Sequence, residues 1–138
     1  DRKVPLMFTL NVMCTYLAGY YNRNDKVRRF LEDKNSVFAE REDVLSSLNR
    51  AADFIDEMSF SYESIWWNKA NYFTLVCELS RAPNLTSQGA EAVRAKLEAF
   101  SNPLPEEYAL AAREAVGRKA QRETRGRLLR SCIASELE

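Results

Sequence analysis

The stretch SIWWNKANYFTLVCELS, residues 64–80, sets the fold class of this chain. Trp66, Ala70, Phe73, Cys77 and Ser80 recur at three- and four-residue steps, and Ile65, Trp67, Leu75, Val76 and Leu79 widen the stripe most of the way round. A helix that is apolar on nearly every side has to be central, so the spacing predicts a core helix over Ser64–Ser80. Two adjacent tryptophans cannot share one helix face. If one indole fills the core, the other points toward a second layer, a groove or another chain.

Outward from that stretch, the same periodicity recurs on both sides. Pro5 suits a first helical turn, and Leu6, Leu10, Met13 and Leu17, flanked by Phe8, Val12 and Tyr16, predict a second nearly buried helix over Leu6–Tyr21. Val27, Phe30 and Leu31 space a short amphipathic helix that ends near Lys34. A longer helix begins near Glu40, with Val44, Leu48, Ala51, Ala52, Ile55 and Met58 as its stripe. Asp53, Asp56 and Glu57 crowd its far end, and without histidine they read as a solvated face and not as a metal site. The segment Arg81-Ala82-Pro83-Asn84 stops the central helix.

Beyond that stop, Thr86 or Ser87 is the expected cap of a surface helix lined by Val93, Leu97 and Phe100. Asn84-Leu85-Thr86 also fits the glycosylation triplet, but reads better as part of this cap. Pro103 and Pro105 form a rigid joint. Glu106 and Glu107 open a helix that carries Tyr108 to Val116, which Gly117 is placed to end. A last helix from about Arg122 shows Leu129, Cys132, Ile133 and Leu137 as its apolar line. With no period-two stretch and only four glycines and four prolines, the expectation is an all-α fold. It takes the form of one irregular bundle of six or seven helices, a single domain over residues 1–138.

Composition excludes several chemistries. Histidine is absent, so Ser–His and Cys–His catalysis and histidine-ligated metals cannot be assembled from this sequence. No glycine-rich phosphate loop, paired-cysteine zinc spacing, nucleophile elbow or calcium loop occurs. A catalytic site within the segment and a bound cofactor are therefore not expected. The three cysteines, Cys14, Cys77 and Cys132, are odd in number, far apart and set in apolar helical patterns, which suits free thiols in a reducing cytoplasm. No signal segment precedes the first helix, and Thr9, Asn11, Thr15 and Gly19 interrupt the one stretch that approaches membrane-span hydrophobicity. The chain begins at Asp1 without an initiator methionine, so a segment of a longer protein is expected.

Twenty basic and twenty acidic residues cancel overall, but residues 113–130 hold seven basic against two acidic side chains. On a helix Arg118, Arg122 and Arg125 fall on one side, with Lys119 and Arg130 at its flanks, and Leu129, Cys132 and Ile133 are expected to take the core side. Arg113 and Arg127 add to the same segment. The expectation is a nucleic-acid-facing surface on Arg118, Lys119, Arg122, Arg125 and Arg130; the competing reading is a solvated basic face that balances the neighbouring acidic stretch. A second class of function needs no DNA: a helical interaction or oligomerisation module with Trp66 and Trp67, and Tyr20 and Tyr21, as aromatic anchors for a protein partner.

Three segments together resemble a known family. DRKVPLMFTLNVMCTYLAGYYNRNDKVRRFLEDKN, SIWWNKANYFTLVCEL and GRKAQRETRGRLLR are similar, in order and pattern, to the helical part of the bacterial ParB-like, GQQR-motif restriction-related family. The resemblance spans most of the chain. In that family an α/β part bearing an Asp-Gly-Gln-Gln-Arg motif precedes the helices and carries the presumed nucleotide-dependent nuclease chemistry. No Gly-Gln-Gln-Arg occurs in this chain. The resemblance therefore implies an accessory helical part that packs on an N-terminal catalytic part lying outside these residues and helps to hold DNA, and it transfers no catalytic residue here.

Overall fold

The helix Lys69–Ser80 is enclosed beyond its first turn: Asn71 and every residue from Phe73 to Ser80 are buried. The computed structural model describes residues 6–34, 38–82 and 85–137, and these hold seven α-helices, two short 3₁₀ turns and no strand. In chain order the helices are α1 (Leu6–Ala18), α2 (Val27–Asp33), α3 (Arg41–Met58), α4 (Lys69–Ser80), α5 (Ala90–Phe100), α6 (Glu106–Ala111) and α7 (Lys119–Leu137). The fold is all-α, with α4 inside and α1, α3 and α7 packed around it. Helix α5 bridges α3 and α7, and α6 lies on α7.

The central element differs from its expected form at its start. Ser64–Ser80 is not one helix: Ile65–Trp67 forms a 3₁₀ turn capped by the Ser64 hydroxyl, and the chain then extends at Asn68 (φ −64°, ψ 141°) before α4 begins. Asn71 holds the two pieces together, donating from Nδ2 to the Ile65 carbonyl at 2.9 Å and accepting on Oδ1 from the Tyr108 hydroxyl at 2.9 Å. The break turns the indole of Trp66 inward among Phe60, Phe100 and Tyr108. Trp67 is half-buried, with its indole N–H on the Ser61 carbonyl at 3.0 Å.

Helix α1 also departs from expectation. It ends at Ala18, where Gly19 (φ +87°) supplies the left-handed turn and donates to the Thr15 carbonyl at 2.8 Å. Only one side is buried, through Leu10, Asn11, Val12, Cys14 and Thr15, while Leu6 is 73% exposed and Met7 46%. A small second core of Leu10, Cys14, Tyr21, Val27 and Phe30 forms beneath α1 and α2. The expected helix from Tyr108 to Val116 stops at Ala111, and residues 112–118 turn back, with Ala115 at positive φ, into α7. A 3₁₀ turn over Ser87–Gly89 leads into α5, whose Gly89 N-cap makes no side-chain cap bond; of the expected capping segment, Pro83 and Asn84 lie outside the described residues.

The three thiols stand apart and free, as the sequence suggests. Cys14 and Cys77 are buried, and enclosure pushes the Cys77 thiol up to about 12.

The crossing of α7 over α4 sets the tightest constraint in the molecule. Glu78 of α4 is buried, accepts from the Tyr20 hydroxyl at 2.7 Å, and is gripped in a two-point fork by Arg130 Nε (2.9 Å) and Nη2 (3.0 Å). Gly126 passes directly over this network: a Cβ there would stand 2.6 Å from both Glu78 Oε2 and the Tyr20 hydroxyl. In an ordinary helix interior, Gly→Ala stabilises by about 0.5–1 kcal/mol. Here the added methyl has to break a charge-assisted network, so Gly126→Ala is expected to destabilise by about 1–3 kcal/mol in urea-induced unfolding. A neutral or stabilised variant would contradict this close approach.

Candidate anion-binding site

Helix α7 buries Arg122, Arg125, Gly126, Leu129 and Ile133, a single stripe at three- and four-residue steps. The expected division of this helix, arginines to solvent and Leu129 and Ile133 to the core, is thus corrected: Arg122 and Arg125 share the face of Leu129. Arg125 is 1% exposed and Arg122 9%, while Arg118, Lys119 and Arg130 stay exposed. The five residues expected to form one nucleic-acid surface therefore point two ways.

The buried pair bonds to backbone and ring, not to carboxylate. Arg125 donates from Nε to the Thr74 hydroxyl (3.0 Å) and from Nη1 to the Ala111 and Val116 carbonyls (2.7 and 3.0 Å), which holds the turn after α6 against α4. Arg122 donates from Nη1 to the carbonyls of Tyr21 (2.8 Å) and Arg23 (3.0 Å). Its guanidinium lies 4.9 Å from the Phe73 ring centroid and 5.3 Å from that of Tyr21. These bonds reach from α7 to the α1–α2 turn and to the α6–α7 turn, the two segments that must be fixed for the bundle to close.

Both guanidiniums line one pocket of about 300 Å³ between α1, the first turn of α4 and the start of α7. Lys69 lines it too, as do Phe8, Phe73 and Val116, and among the described residues no carboxylate does. Desolvation lowers the pKa of both arginines; at Arg122 Tyr21 opposes it most and Asp25 less, and among the described residues Arg122 forms no ion pair. Helix dipoles add to the field. The first turns of α4 and α7 both lie at this end, and neither contains an acidic residue.

Exposed cations lie on the segments next to the pocket residues Asn24 and Gly117. Arg23 donates its backbone N–H to the Gly117 carbonyl at 2.6 Å, and Lys119 donates its own to Asn22 Oδ1 at 2.6 Å, so residues 22–23 and 117–119 stand side by side. Arg23, Arg118 and Lys119 form no ion pair among the described residues, whereas Arg127 pairs with Glu107 (2.6 Å) and Arg130 with Glu78. What can be read in the sequence is the basic content of the segment; what cannot is the inward turn of Arg122 and Arg125. The signal for it was nevertheless present, since 122, 125, 126, 129 and 133 make one unbroken helical stripe.

The aromatic anchors proposed for a protein partner are corrected as well. Trp66 is 1% exposed and Tyr20 and Tyr21 are buried, their hydroxyls bonded to Glu78 and to Asn11 Oδ1 (2.7 Å). Of that set only Trp67 reaches the surface, and in part.

Comparison of the chain with family models, with curated proteins and with solved structures gave no match.

Loss of Arg125 would leave two carbonyls without its N–H groups and take from the Thr74 hydroxyl, which still donates to the Ala70 carbonyl, the bond it accepts. Arg125→Leu is expected to destabilise by about 1–3 kcal/mol for each buried acceptor left unpaired, whereas Arg118→Ala stays within about 0.5 kcal/mol of the parent. Equal urea midpoints for the two variants would contradict this division of roles.

Proposed function

We propose that the chain is an accessory helical module that holds a nucleic-acid backbone at its basic end and leaves chemistry to another part of a longer protein. The observation that supports this most is the clustering of Arg23, Arg118 and Lys119, exposed and without ion pairs among the described residues, around a pocket lined by Lys69, Arg122 and Arg125. Two helix N-termini point their positive ends the same way, and the acidic residues Asp25, Glu114 and Glu123 of these segments are fewer than the basic ones. Phosphate groups suit such a field whatever the base sequence, because the contacts are charge and N–H donation and not base-edge readout. The role agrees with what the resemblance to the ParB-like restriction-related family implies, in which helices accompany a separate catalytic part. Among the described residues no helix is long and apolar enough to cross a membrane.

A protein partner is the alternative, and one feature favours it: Leu6, Met7, Leu110 and Val116 are exposed apolar side chains, and Met7 and Val116 border the same pocket. That surface would seat a catalytic part of the same protein or a second copy of this chain.

The test is a salt titration of duplex DNA binding by the full-length protein, with Arg118 and Lys119 changed together to alanine. Each lost phosphate contact is expected to lower the slope of log K against log salt by about 0.9, with no change in sequence preference. An unchanged slope and affinity would overturn the nucleic-acid role and leave the apolar surface as the docking face.

A further inference from the structure

We propose that the pocket between α1, α4 and α7 is a specific site for a phosphate-type oxyanion, held by N–H groups of Arg122 and Arg125 that the fold leaves unused, with Lys69 at the rim. The inference goes beyond backbone binding at the surface, because it concerns one group held in a pocket and would hold for a small phosphate compound without any nucleic acid.

Donor use makes the first step. Among the described residues Arg122 uses Nη1 alone, leaving Nε and Nη2 without a protein acceptor, and Arg125 uses Nε and Nη1, leaving Nη2. A guanidinium presents its N–H groups in a planar fork that matches two oxygens of one phosphate. Arg122 is more than nine-tenths buried and lines the pocket, which opens to solvent, so its remaining donors are fixed by the fold and still within reach of a bound group.

Charge makes the second. Two guanidiniums, close enough that Arg122 disfavours the charged form of Arg125, and one ammonium line the pocket, and among the described residues no carboxylate does. Burying like charges together without a counter-ion is unfavourable, and proteins otherwise pair such groups. The first turn of α4, Lys69–Ala70, lines the same pocket, its Asn68 cap makes no side-chain bond and its first turn has no acidic residue, so the positive end of that dipole is open toward the site. Phe8, Phe73 and Val116 supply apolar walls that thin the water around an ion and strengthen its attraction to the arginines. A volume of about 300 Å³ accommodates a phosphate with a modest organic body.

The phosphate could be free, or the 5′-terminal group of a nucleic-acid strand. The experiment is thermal unfolding of the full chain in rising inorganic phosphate against chloride at matched ionic strength, with calorimetric titration of phosphate alongside. A saturating rise in Tm with phosphate and none with chloride is expected, since a ligand bound only by the folded state stabilises it. Lys69→Gln should weaken the phosphate midpoint by about tenfold, one lost charge-assisted contact. Ala70→Leu, which fills the pocket from α4, should abolish the response while leaving the Tm in chloride near the parent's. Competition by 5′-phosphorylated but not 5′-hydroxyl single strands would assign the group to a nucleic-acid end; equal competition by the two would assign it to a free phosphate compound. Equal Tm shifts in phosphate and chloride, or an undiminished response in Ala70→Leu, would overturn the site. Replacing Arg118 and Lys119 should alter duplex binding without moving the phosphate midpoint, so failure of this site and failure of the surface role are read separately.

Discussion

Helix α7 can lie across α4 only because charged and polar groups are satisfied inside the crossing. Arg125 bonds Thr74 and two carbonyls of the α6–α7 turn, Glu78 takes the fork of Arg130 and the hydroxyl of Tyr20, and Gly126 leaves room for both. Polar groups this far inside cost free energy unless their bonds are complete. Once complete, they fix register as apolar contact cannot, because a helix shifted by one residue would orphan several acceptors together. Arg122 extends the same fastening to the α1–α2 turn through the Tyr21 and Arg23 carbonyls, and Arg81 adds another through the Thr15 carbonyl. Arginines thus do in this bundle what leucines do in a more regular one.

That design has a consequence for binding. A helix face that carries arginines into the interior brings positive charge to one end of the molecule, where two helix N-termini also open. The fold satisfies part of each guanidinium with carbonyls, which are dipoles and not charges, so the site keeps a net attraction for an anion. Structure and recognition are then not separate properties of Arg122: the bonds that tie it to the α1–α2 turn also hold its remaining donors at the pocket.

The fold class was legible in the sequence because the stretch that forms α4 is apolar on nearly every side and α3 and α5 carry clean stripes through Val44, Ala51 and Ile55 and through Val93 and Leu97. The break at Asn68 was not, because a 3₁₀ turn followed by an extended residue keeps the spacing of apolar side chains close to helical. Tyr20 and Tyr21 look like ends of a helix in the sequence, but Gly19 stops α1 first and frees both rings to turn inward. The basic character of residues 113–130 was legible and its geometry was not. Charge in a sequence suggests solvent, whereas a long side chain with backbone carbonyls within reach can be enclosed. Helical periodicity through Leu129 and Ile133 was the stronger signal.

The central claim is that Arg125 is locked inside the crossing of α4 and α7, and its side-chain N–H groups report on this directly. Nitrogen-15 spectra of the arginine side chains at neutral pH, with Arg125→Lys for assignment, measure how fast each Nε–H exchanges with water. The expected result is a resolved Arg125 Nε–H signal strongly protected from exchange, as suits a bond opened only by unfolding of the joint, while Arg118 exchanges freely. An Arg125 signal that exchanges as fast as that of Arg118 would place the guanidinium in solvent and contradict the account.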